Sequence, residues 1–177
     1  MATPSYLAKS QFVGDIHLLF GNYEDFNDFA VNIEKKYLQK LLGFNHYYEI
    51  YIAGNKDQKY VNLRDGIEAG YEDRDGYQQE LRGFKEMLKY FFYFHYVIEV
   101  QTERTLSGDP QEAYIKMVGG SKQSANVRLC NAWNTGVKYY NQLVDYMIIT
   151  EDNTPDTYED WVYDDTLTNI NTFGIVE

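Results

Sequence analysis

The chain has little of what catalytic and nucleic-acid-binding proteins usually display. It has one cysteine, Cys130, which excludes an intramolecular disulfide framework and suits a reducing compartment. The three histidines, His17, His46 and His95, lie in separate segments with no partner at metal-ligand spacing. Basic residues are outnumbered 27 to 16, and the resulting net charge of −11 disfavours a general nucleic-acid binder or a membrane surface as partner. No apolar run reaches the ~18–20 residues needed to cross a bilayer. The opening MATPSYLAKSQFVGD lacks the basic start and long apolar run of a signal peptide, so the chain is expected to be soluble and made in a cytoplasm. With only three prolines, well-distributed charge and many aromatics, disorder is also disfavoured.

Aromatic residues are what the chain has in excess: 18 tyrosines and 10 phenylalanines, more than an ordinary core needs, and tyrosine is enriched at protein–protein contacts. The richest stretch, Gly76 to Glu103, reads as a helix. Leu81, Phe84, Leu88, Phe91, His95 and Ile98 recur at steps of three and four, while Glu80, Arg82, Lys85, Glu86 and Lys89 fill the other faces of the first turns. From Tyr90 to Ile98 the polar side disappears, and Met87, Tyr90, Phe94 and Val97 form a second apolar stripe. A helix apolar all round must be covered on every side, by its own chain or by neighbouring subunits.

The length suits one compact domain, mostly α, a helical bundle of about four helices with an extended N-terminal arm and a C-terminal acidic tail. Residues 1–21 form the arm, with Phe12, Ile16, Leu18 and Phe20 weakly alternating. Residues 22–150 form the helical domain. Asn22 is a fair N-cap for a first helix, with Glu24 and Asp25 in its first turn; Phe26, Phe29, Ile33, Tyr37 and Leu41 are its buried stripe, and Gly43 is its stop. A second short helix runs from Asn45 to Ala53 and ends at Gly54. Residues 55–76 read as a loop with a turn of helix near Leu63–Ala69. Ser107-Gly-Asp-Pro110 breaks the aromatic helix, and 111–123 reads as a loop. Ser124 caps a last long helix that turns Val127, Cys130 or Leu129, Trp133, Val137, Tyr140, Val144 and Ile148 inward.

Residues 151–177 are the tail, acidic and without a basic residue, interspersed with Tyr158, Trp161, Tyr163, Ile170, Phe173 and Ile175. Charge blocks often stay solvated. The Trp and Tyr spacing nevertheless favours docking, on this subunit or an adjacent one.

The search for chemistry nominates no catalytic, cofactor-binding or metal-binding residue. His95 reads as a hydrogen-bonded core or interface histidine, and Cys130 as a buried inert thiol. Gly119-Gly120-Ser121-Lys122 lacks the frame of a phosphate-binding loop. Asp73-Arg-Asp-Gly76 has the flavour of a calcium loop, but its twelfth position is Phe84 rather than Glu, so a solvated turn is favoured. Neither that pair nor Asp164-Asp165 has positional support as an acid/base couple.

Three segments together carry a family resemblance. Glu34-Lys-Lys-Tyr-Leu38-Gln-Lys-Leu-Leu-Gly43, followed by Tyr47-Tyr48, resembles the E-x-x-[FY]-L-x-x-L-L-G opening of small tailed-phage head–tail connector proteins, such as those of phages of gut Bacteroidetes. The run from Arg82-Gly-Phe-Lys-Glu-Met-Leu88 into the aromatics up to Val97 resembles their R-G-[LF]-K-x-[ML]-L block. Ala132-Trp-Asn134 with Tyr139-Tyr140 resembles their closing helix. Order and spacing match over roughly residues 24–148; the arm and the tail lie outside the matched blocks.

The resemblance implies a structural virion protein, with no enzymatic activity and no cofactor. It would form a neck ring, often dodecameric, that contacts itself, the portal and other neck or tail proteins while DNA passes through the lumen. Tyr90, Tyr93, Phe94, Tyr158 and Trp161 are the expected interface residues. The competing classes are a non-viral all-helical interaction module with a self-contained aromatic core, an enzyme with an unrecognised carboxylate site, and an acidic nucleic-acid mimic.

Overall fold

The structure, a computed structural model, describes residues 5–18, 26–107, 122–162 and 167–170, and the side chains of these apart from 100–107 and 122–126. The expectations for Phe20, the Asn22 cap with Glu24 and Asp25, the break at 108–110, the 111–121 loop, Tyr163, the Asp164-Asp165 pair, Phe173 and Ile175 lie outside the described residues.

Four helices pack together beside one small hairpin: α1 (Phe26–Tyr47), α2 (Gln58–Asp65), β1 (Ile67–Glu72), β2 (Gln78–Leu81), α3 (Gly83–Ser107) and α4 (Lys122–Asn153). Helix α3 lies at the centre, packing most extensively on α4 and then on α2 and α1. Its Phe84, Met87, Leu88, Phe91, Phe92 and Val97 are completely buried. Each such side chain contributes about 1.5–3 kcal/mol relative to exposure. The inward face is rotated from the expected stripe, because Phe92 and Tyr96 are buried while His95 and Ile98 are half-buried. On α4, Gly136 lets the two helices close up. A Cβ there would sit 2.8 Å from Cε1 of Phe91, whose ring is held in a stack 3.9 Å from Tyr37.

In α1 the expected stripe is the buried one, with Phe26, Ile33, Tyr37 and Leu41 inside and Phe29 packed at its edge. Gly43 interrupts the helix with φ 68° and ψ 175°, a combination essentially confined to glycine. The chain re-enters helix at once, closes through a π-helical turn over Tyr48–Ile52 and ends before Gly54, as the sequence predicts.

Four expectations need correction. Residues 55–76 are not a loop with one turn: α2 and the hairpin occupy most of that segment and its continuation to Leu81, with Ile67 opposite Leu81 and Tyr71 opposite Gln79 across a bulge. Glu80, Leu81 and Arg82 therefore precede α3 instead of forming its first turn. Helix α4 begins at Lys122, which puts Ser124 inside it, and Val127 is exposed at 40%.

The described parts of both terminal segments lie on the helices. In the arm, Leu7, Phe12, Ile16 and Leu18 are buried, and the Phe12 ring lies 4.8 Å from Phe92 and 6.1 Å from Phe26. In the tail, Tyr158 is buried and the Trp161 indole N–H donates to the Leu41 carbonyl at 2.9 Å. Among the described residues no helix is long and apolar enough to cross a membrane.

Candidate interaction surfaces

The five residues expected at an interface are not gathered on one face. Tyr93 and Tyr158 are 1% and 2% exposed, so the chain's own atoms surround them. Tyr90 and Phe94 are half-buried on α3 against α4, Tyr90 edge-on to Tyr139 at 5.8 Å and Phe94 against Trp133 at 4.9 Å. Trp161 is half-buried beside the end of α1.

His95, His46, Cys130 and Asp73, among the titratable groups singled out by the sequence, are tied into the fold, whereas His17 is exposed. His95 Nε2 lies 2.7 Å from the Tyr37 hydroxyl. Burial, helped by the nearby Lys36 charge, pushes its pKa down to about 4, so the ring is neutral at physiological pH. His46 Nε2 faces the Glu159 carbonyl at 3.0 Å; a carbonyl can only accept, so this nitrogen carries the proton, while Nδ1 meets the Tyr60 hydroxyl at 2.9 Å. Cys130 is buried, and burial pushes its thiol up, away from the reactive thiolate. Asp73 organises the hairpin turn. Its carboxylate accepts from the Tyr77 and Asp75 backbone N–H groups at 2.8 and 3.0 Å and from Gln79 Nε2 at 2.7 Å, and these bonds, the Tyr77 one foremost, hold its pKa below the usual carboxylate range. Among the described residues no group of three His, Cys, Asp or Glu side chains is placed to hold a metal ion.

Glu34 is the group that sequence reasoning missed. It is a fully buried carboxylate under the arm, accepting from the Ser5 hydroxyl at 2.7 Å, the Leu7 N–H at 2.9 Å and the Tyr51 hydroxyl. Burial raises its pKa against the opposing pull of these donors. No periodicity marks it, since Glu in a helix is by default a surface residue.

Two features remain open to a partner. The first is an apolar stripe just beyond Gly43: Phe44, Tyr48 and Ile52 are 69%, 48% and 49% exposed at helical i, i+4, i+8 spacing. Val162, 78% exposed, approaches from the tail, its carbonyl 3.4 Å from where a Cβ on Gly43 would stand. The second is a cleft of about 540 Å³ between the hairpin, α4 and residue 169. Its α4 wall carries Asn134, Lys138, Asn141, Gln142 and Asp145, and Tyr71 from β1 donates to Asp145 Oδ2 at 2.9 Å. The amide oxygens of Asn141 and Gln142 are buried and accept no hydrogen bond from the described residues.

Neither the scan against protein-family models nor the searches of curated proteins and of solved structures finds a match to this chain.

Proposed function

We propose that this chain is a structural protein of a tailed-phage neck, assembling as a ring of identical subunits, on the order of a dodecamer, between portal and tail. The observation that carries the reading is the convergence of the three resembling segments on one another. Tyr37 of the first stacks on Phe91 of the second at 3.9 Å, Phe91 meets Trp133 of the third at 5.4 Å, and the Tyr140 hydroxyl donates to the Lys40 carbonyl at 3.2 Å. The three segments thus lie together in one packed unit, which supports the reading. The exposed stripe at Phe44, Tyr48 and Ile52 supplies apolar surface of the kind that a heterologous ring contact buries. The acidic balance suits a lumen through which DNA slides without being held, because a basic lining would bind phosphates. The role assigns no catalytic residue, and the partners are other copies of the chain, the portal and neighbouring neck or tail proteins. The protein would be made in the host cytoplasm and end in the virion.

Native mass spectrometry and light scattering of the purified chain, with and without portal, test the proposal. A species near twelve subunits, or a monomer that becomes one on portal addition, supports it; a monomer indifferent to portal overturns it.

A second reading, a non-viral helical interaction module, is favoured by one observation. The aromatic helix is covered largely by its own chain, with Phe91, Phe92 and Val97 at zero exposure. It predicts a monomer or small closed oligomer in the same experiment.

A further inference from the structure

We infer that residues 167–170 are an exchangeable segment, and that in the assembled protein the α4 face beneath them takes this segment from a neighbouring copy of the chain. The inference rests on the ring reading above. Its starting point is what the face recognises. Asn134 grips both main-chain groups of Ile170, its Nδ2 donating to the carbonyl and its Oδ1 accepting from the N–H, each at 2.9 Å. The Trp133 indole N–H donates to the Thr168 carbonyl at 2.9 Å, and Asn141 Nδ2 donates to the Leu167 carbonyl at 3.1 Å. All four bonds end on backbone atoms of the segment. Thr168 and Asn169 are exposed, and Leu167 supplies the apolar contact with the core.

Spacing matches the face to extended chain. Asn134 and Asn141 stand two turns apart on one side of α4, about 10 Å along its axis. Three extended residue steps, Leu167 to Ile170, also cover about 10 Å. The segment therefore runs antiparallel to α4 with an amide clasp at each end. Main-chain bonds give such a groove its affinity and a side-chain contact its preference. The same segment from a second copy meets it with every bond preserved.

The connection through residues 163–166 decides which copy fills the groove. In the single chain the segment lies on its own α4, where a short connection keeps its effective concentration high. That connection leaves from Val162, which is 78% exposed beside Gly43 and the Phe44, Tyr48 and Ile52 stripe. The ring reading gives this stripe to the adjacent subunit, so the connection sets out from the subunit contact and a second α4 comes within its reach. Trp161 stays anchored on its own Leu41 carbonyl, which places the crossover after it. Exchange of an identical element loses no contact and is a low-cost route between copies. Around a closed ring each α4 face receives one neighbour's segment while its own segment fills the next, so every subunit is clasped on both sides.

The test uses full chains. Lys138→Cys and Asn169→Cys place thiols at two exposed positions that line the same cleft and make none of the four bonds, while Cys130 is buried. Chains carrying one substitution each, one of them isotope-labelled, are mixed, assembled by concentration or with portal, and treated with a short bis-maleimide. Native mass spectrometry follows assembly, and denaturing mass spectrometry identifies the linked products. A mixed two-chain product is expected, at least tenfold above that of the same mixture before assembly. Adding Asn134→Ala to the Lys138→Cys chain removes two of the four bonds and is expected to lower the product several-fold, with circular dichroism verifying that the variant is folded. Assembly without a mixed product, while a chain carrying both cysteines links within itself, overturns the exchange and leaves the ring reading standing. A product indifferent to Asn134→Ala also overturns the exchange. A chain that stays monomeric with portal present overturns both.

Discussion

The two terminal segments are held to the same helices by different physics. The arm is held by apolar plugs. Leu7, Phe12, Ile16 and Leu18 are each buried, and one buried carboxylate, Glu34, collects the Ser5 hydroxyl and the Leu7 N–H at the start of the described arm. The described tail is held mostly through its own backbone carbonyls. Lys59 Nζ reaches Thr157 O at 2.5 Å, His46 reaches Glu159 O, Trp133 Nε1 reaches Thr168 O at 2.9 Å, and Asn134 pairs with Ile170 through two bonds of 2.9 Å. Apolar burial is non-directional and extends through the core, so loosening the arm opens the core itself. A half-exposed hydrogen bond contributes only about 0.5–1.5 kcal/mol and exchanges readily with water. The described arm is therefore part of the folding unit, whereas the described tail residues beyond Tyr158, with Trp161 and Leu167 only partly buried against the core, form a strap expected to lift at lower cost.

The sharpest way to break this contrast is Phe12→Ala, expected to cost about 3–5 kcal/mol for a buried aromatic and to be read as a lower midpoint in urea denaturation. A loss below ~1 kcal/mol would place the arm in the same class as the tail.

Two pH experiments come next. Burial raises Glu34 above its ordinary value of 4.5, so the folded state binds this proton more tightly than the unfolded state. Its contribution to stability is present below 4.5 and declines as pH rises through the folded pKa; Glu34→Gln should remove that decline from a pH series of denaturation midpoints. His95 has the opposite sign. With a folded pKa of about 4 against an ordinary 6.5, it contributes stability that is lost as pH falls from 6.5 toward 4, and His95→Gln should flatten that limb.

The smallest effect is expected from Asn134→Ala, at about 1 kcal/mol. Hydrogen exchange should then report faster exchange at Ile170, with the Leu7 amide unchanged. Equal acceleration at both would mean that arm and tail open together.

Helix α1 was legible because its burial follows the 3.6-residue period, whereas the short α2, with only Tyr60 and Leu63 buried, was not. Phe26, Ile33, Tyr37 and Leu41 read directly as one face, and Gly43 and Gly54 read as interruptions. The hairpin was not. Its two strands are mostly exposed, with only Tyr71 and Leu81 buried, so there is no alternation for a two-residue period to reveal. The burial of Glu34 was illegible for a different reason, since the donors that make it tolerable, Ser5, Leu7 and Tyr51, come from segments up to 29 residues away. The tail's aromatics did signal docking, which Tyr158 and Trp161 make on their own chain. Its amide-to-carbonyl clasps have no sequence signature. The E-x-x-Y-L-x-x-L-L-G segment has a structural task at almost every fixed position: Glu34 under the arm, Tyr37 on Phe91, Leu38, Leu41 and Leu42 in the core, and Gly43 at the break.

Gly43 acts as a phase changer. Up to it the inward positions run 30, 33, 37, 41, and an uninterrupted helix would carry that series on through 45, 48 and 52, turning Tyr48 and Ile52 into the core. After it the buried positions are instead 46, 47, 50 and 51, and Tyr48 and Ile52 face out. One backbone conformation that only glycine holds easily thus decides which half of a continuous apolar segment is core and which half is offered to the outside. A side chain at this position would strain the break, and in doing so would trade the exposed stripe against the burial of His46, Tyr47, Ile50 and Tyr51.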